Sequence, residues 1–131
     1  MIYKEFYTEL GKLLYAVAKA DGKVGAKEFD AMKLIVRQEL VPLENSRDQF
    51  GTDNAFYTEM EFEYLEENFG DAISAFDSFI DFIDSHHSAI TPDLKVLIER
   101  ISNKLAASEF GINKKEKSML DKLDAKLNAL V

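Results

Sequence analysis

The stretch Ala18-Lys19-Ala20-Asp21-Gly22-Lys23-Val24-Gly25-Ala26-Lys27-Glu28-Phe29 reads as the end of one helix, a short acidic turn and the start of another. Gly22 accepts the left-handed conformation that commonly follows a helix. Gly25 is a passable N-cap, and Glu28 then stands at N3, from where its carboxylate can bond back to the cap. Asp21 and Glu28 thus bracket the turn. A related shape returns near the C-terminus, with Glu109 and Glu116 in the matching places.

Working outward, the apolar residues Ile2, Phe6, Leu10, Leu13, Leu14 and Val17 recur every three to four positions. That spacing predicts an amphipathic helix from about Ile2 to Ala20. Phe29, Met32, Ile35, Val36 and Leu40 predict a second, ending before Pro42. Residues 41–54 read as a loop, because Pro42, Asn45, Ser46, Asp48, Gly51, Asp53 and Asn54 are turn-formers. A third helix is expected from about Asn54 to Asn68, with Tyr57, Met60, Tyr64 and Leu65 as its stripe and Gly70 closing it. Asp71 is placed to cap a fourth, carrying Ile73, Phe76, Ile80 and Ile83. Phe79 and Phe82 widen its apolar face, so this helix is expected at the centre. Thr91-Pro92 marks a fifth start, with Thr as N-cap and Pro at N1, where its missing N–H costs nothing. Leu94, Leu97, Ile98, Ile101 and Leu105 follow on one face, and Gly111 interrupts. Asn113 and Glu116 form a capping-box pattern ahead of Met119, Leu120, Leu123, Leu127 and Leu130. No strand-type alternation persists, so the fold class is all-α: one domain of six helices or slightly more over residues 1–131.

Shifting the sequence by 88 positions overlays the two acidic turns. Asp21 meets Glu109, Val24 meets Ile112, Lys27-Glu28 meets Lys115-Glu116, and Met32 meets Leu120. Two helical hairpins related by an approximate two-fold axis would bring those turns near each other. Any two amphipathic hairpins also overlay to some degree, so the pattern alone leaves both readings open.

Composition bounds the function. The chain carries a net charge of -8 over 131 residues. Residues 44–84 hold 12 acidic residues and one basic residue, Arg47, a net of -11, while the flanking segments are close to neutral. Such a surface repels phosphate backbones, so no nucleic-acid partner is expected; a cation or a basic protein is. Glu59, Glu63 and Glu67 lie four apart, as do Asp77 and Asp81, and like charges at that spacing cost a helix about 0.2–0.5 kcal/mol per pair. The row is either a docking face or a solvated surface that keeps the chain soluble. No run approaches the roughly 20 apolar residues of a membrane span, and the N-terminus has no signal-peptide pattern. The absence of cysteine removes disulfides and thiolate chemistry and fits a cytoplasmic setting. No phosphate-cradling glycine loop, nucleophile elbow or His-Glu-x-x-His pair is present, so an enzyme is not expected. His86 and His87 point about 100° apart on a helix and read as surface residues with a capping role near a helix C-terminus.

Carboxylates without thiols favour calcium, magnesium or manganese. Asp21 and Glu28 alone make a poor site; with Glu109 and Glu116 across the two-fold they make a plausible one. The competing reading is local. Glu28 and Glu116 at N3 bond their own caps and favour the helix dipole, and Asp21 makes an Asx-type turn. An EF-hand is rejected, since Val17 and Lys19 stand where its first carboxylates belong.

The phrase from Ala18 to Val24, followed by Glu28, resembles the signature of the bacterial TerB-like family. That family includes tellurite-resistance TerB proteins and the N-terminal domain of a DnaJ-like membrane co-chaperone. The resemblance implies an all-α fold of two related halves, an acidic metal site and a stress or tellurite-response setting. The second turn departs from the pattern, with Glu109-Phe110 where a second Asp-Gly would stand.

Overall fold

The computed structural model describes residues 3–43, 47, 49–109 and 111–130. Ile2, Asn45, Ser46, Asp48 and Phe110, which figure in the sequence reading, lie outside the described residues. The described residues form six α-helices: α1 Tyr3–Lys19, α2 Ala26–Ile35, α3 Phe56–Glu67, α4 Ala72–Ser85, α5 Pro92–Ala106 and α6 Lys114–Ala129. Among the described residues there is no strand, and no helix is long and apolar enough to cross a membrane.

The central helix is α1, not α4. Every residue from Leu13 to Ala18 has 0% exposure, and α1 packs on α3, α4, α5 and α6. The expected stripe of α1 understates its burial because small residues fill the other side. Gly11 is the clearest case: a Cβ there would stand 2.6 Å from the carbonyl oxygen of Thr58. The missing side chain lets α3 lie directly on α1, and the Thr58 hydroxyl donates to the carbonyl of Tyr7 at 2.6 Å. α4 contributes Ala75, Phe76, Phe79, Phe82 and Ile83 to the core, while Ile73 is exposed.

The stripe expected for α3 also needs correction. Its buried residues are Thr58 and Phe62, whereas Met60 and Tyr64 face solvent. The cause is the close approach at Gly11, which seats a small polar residue against α1. Phe62 then enters between Tyr15 and Phe29, with edge-on contacts at 5.7 Å to each ring.

Several predicted ends are observed with their chemistry. Asp71 accepts from the Ser74 N–H at 2.8 Å, Thr91 from Leu94 at 3.2 Å, and Asn113 from Glu116 at 2.9 Å. The second α-helix ends before Pro42, as expected, at Ile35, but the chain keeps turning beyond it. It widens into a π-helical turn, Val36–Leu40, and tightens into a 3₁₀ turn, Val41–Leu43. A proline ring clashes with the carbonyl four residues back in a regular helix, and the wide turn directly before Pro42 relieves that clash. At the end of the expected loop Asp53 and Asn54 are buried, and Asp53 accepts from the N–H of Ala55, the buried residue just before α3, at 3.0 Å. His86 takes the expected capping role at the end of α4, bonding the Phe82 carbonyl through Nδ1 at 2.9 Å, but it is half-buried and stacks on Phe82 at 4.3 Å.

The 88-residue offset holds at the helix starts: α2 begins at Ala26 and α6 at Lys114, with Gly25 and Asn113 as their N-caps. Contacts of α2 with α5 and of α6 with α1 cross between the halves in the way a two-fold exchange requires. The match is imperfect. α5 and α6 pack on each other more extensively than α1 and α2 do.

Candidate functional site: an acidic cleft between the two turns

The turn after α1 and the turn after α5 meet at one cleft of about 880 Å³. Its walls carry Asp21, Glu28, Asp30, Glu66, Glu109 and Glu116, against one cation, Lys23. Val24, Phe29 and Ile112 supply apolar lining. All four carboxylates expected from the sequence therefore face one space.

Each has a distinct role there. Asp21 Oδ1 accepts from the Lys23 N–H at 3.2 Å, the expected Asx turn, and its Oδ2 accepts from Asn113 Nδ2 at 3.0 Å. That second bond spans 92 positions and ties the two turns together. Glu109 reaches across to the first turn. Its carboxylate fills the space a side chain at position 25 would occupy, so only glycine leaves room for it there. The left-handed glycines of the two turns, Gly22 (φ 99°) and Gly111 (φ 80°), are 89 rather than 88 positions apart, so the second turn is offset by one.

Glu28 and Glu116 are buried, with 4% and 2% exposure. Glu28 Oε1 accepts from the Gly25 N–H at 3.0 Å, and Glu116 Oε1 from the Asn113 N–H at 3.1 Å. The capping role is therefore real at both ends. It uses one oxygen of Glu28 and leaves Glu28 Oε2 buried without a donor. Burial pushes the Glu28 carboxyl up, to about 8; the Gly25 N–H opposes this, while Glu116 and Asp21 add to it. At neutral pH this carboxyl holds a proton and has only a carboxylate neighbour to share it with.

Glu66 was not picked out by the sequence reading. It comes from α3, outside both hairpins, and its Oε2 is likewise buried without a donor. The i, i+4 row Glu59, Glu63, Glu67 drew attention to the outer face of α3, and Glu66 lies off that row. Asn113 was read only as a cap, and its bond to Asp21 has no local signal. Asp30 has no sequence signal either.

The donor set is all oxygen, which suits a hard cation. As the side chains stand, no group of three or more His, Asp or Glu among the described residues is arranged to hold a metal ion. The cleft brings the carboxylates to one place without closing them into a coordination shell.

No family model, curated protein or solved structure matches the chain.

Proposed function

We propose that the chain is a non-enzymatic, cation-responsive interaction domain. Its cleft takes a divalent cation, calcium, magnesium or manganese, through Asp21, Glu28, Glu109 and Glu116, and its acidic surface docks a basic protein. The observation that carries this reading is the buried Glu28 Oε2, left without a donor in a cleft lined by five other carboxylates. A cation replaces the proton that burial holds on Glu28. Small side-chain rotations would be needed to complete the shell. The reading agrees with the TerB-like resemblance and the stress or metal-response setting it implies.

A second reading has its own support. Both N3 glutamates bond their caps, so the domain binds proteins without an ion and the four residues only hold the turns. Thermal melting with and without millimolar calcium, magnesium or manganese separates the two. An ion that binds only the folded state stabilises by about 2.7 kcal/mol at a hundredfold excess over Kd, a shift of several degrees. The shift should disappear in Asp21→Ala. No shift with any of the ions leaves capping as the whole role.

A further inference from the structure

The outer face of α3 and the corner that follows it carry an apolar patch that folding does not explain. Met60 and Tyr64, one helical turn apart, are 49% and 59% exposed. Phe69 follows at 87% and Ile73, in the first turn of α4, at 67%. Glu63 and Glu67 share the outer face of α3 with Met60 and Tyr64, and residues 48–94 contain no Lys or Arg.

Phe69 is the informative residue. It is the one non-glycine among the described residues with a left-handed backbone, φ 53°. α3 ends there in a Schellman turn: the Gly70 N–H reaches the Leu65 carbonyl at 2.8 Å and the Phe69 N–H the Glu66 carbonyl at 3.4 Å. The left-handed position of that turn ordinarily falls to glycine or asparagine, because a side chain is strained there. Here it holds a phenylalanine that is almost fully exposed, while the glycine sits one position later, under Leu65. The backbone cost is not recovered by packing. Strained, exposed aromatics of this kind belong to binding surfaces more often than to cores.

We propose that Phe69, with Tyr64 and Met60, anchors a basic amphipathic helix of a partner protein, whose Lys or Arg side chains meet Glu63 and Glu67. Charge selects the occupant, since Glu63 and Glu67 flank the apolar anchors and the neighbouring cation, Arg37, is paired with Glu59 at 2.7 Å. Apolar spacing selects its form, since Met60 and Tyr64 present one helical turn to a facing helix. The inference deepens the partner half of the function proposed above and does not require an ion in the cleft.

The test uses the full chain in buffer with EDTA and a synthetic helix of about 18 residues, Lys and Leu at amphipathic spacing. A peptide of the same composition with its leucines scattered around the helix is the control. Isothermal titration should show the amphipathic peptide binding the wild type and the scattered one binding about tenfold more weakly. Phe69→Gly and Tyr64→Ser should each weaken binding about tenfold. Phe69→Gly should also melt at the same or a higher temperature, because glycine relieves the left-handed strain. Binding and stability then move in opposite directions, which a structural role for Phe69 cannot produce. Equal binding of the two peptides, unchanged binding in both variants, or loss of both stability and binding in Phe69→Gly would each overturn the proposal. Self-association of the wild type that Phe69→Gly abolishes would assign the patch to a second copy of the chain, and would overturn it too.

Discussion

Glu28→Gln should remove a fall in stability with rising pH that Glu28 causes. Burial raises the folded-state carboxyl to about 8, against 4.5 for an ordinary glutamate. Between those values the unfolded chain ionises Glu28 while the folded chain keeps its proton. The folded state therefore binds more protons, and its stability falls as pH rises. The slope is at most about 1.4 kcal/mol per pH unit. From about pH 5 to about pH 8 the loss sums to roughly 3–4 kcal/mol, and it levels off above the folded-state value. For a domain of this size that is a fall in Tm of roughly 10 °C. Gln keeps the shape of the side chain. Its carbonyl oxygen still accepts from the Gly25 N–H, and its amide can donate toward Glu116, as the protonated carboxyl does. Melting curves across this range, taken as the difference between variant and wild type, cancel the titrating groups that do not interact with Glu28. The variant should match the wild type near pH 5 and exceed it increasingly toward pH 8. Asp21, Asp30, Glu66, Glu109, Glu116 and Lys23 also line the cleft, and they remain in both proteins. A divalent cation that binds the ionised pair should flatten the wild-type slope and leave the variant unchanged. Parallel curves for the two proteins would refute the account of a proton held by burial.

Two glycine substitutions separate rigid from yielding neighbours. Gly11→Ala drives a Cβ against the Thr58 carbonyl, 2.6 Å away, and Glu61 Cβ, 2.9 Å away; backbone cannot swing aside, so denaturant unfolding should show a loss of about 1–3 kcal/mol despite alanine's better helix propensity. Gly25→Ala meets only the Glu109 carboxylate, and the φ of -77° suits alanine. Its Tm should therefore change little, while any cation-induced shift is reduced because Glu109 is turned out of the cleft; a collapse in stability would show that Glu109 has nowhere to go.

The helix starts were legible because they are written in local chemistry. Thr91-Pro92, Asp71 and the Asn113–Glu116 box each satisfy orphan N–H groups a few residues away. The facing of the two acidic turns was legible from the 88-residue offset. What periodicity missed was set by contact at a distance. The glycine at position 11 decides which side of α3 turns inward, and nothing within α3 records it. That is why Thr58 and Phe62, rather than Met60 and Tyr64, are buried. The centrality of α1 was hidden for the same reason, since alanine and glycine add little to a hydrophobic stripe yet admit close neighbours. Glu66 entered the cleft from a helix that belongs to neither hairpin.

The Asn113–Asp21 bond joins positions 92 apart in the chain. A contact so remote in sequence forms late, because the intervening loop must first lose its freedom. The acidic cleft is thus a reporter of finished folding: its two walls meet only once the turn before α6 has docked on the turn after α1. A ligand held there would act as a latch on the two ends, slowing unfolding more than it speeds assembly.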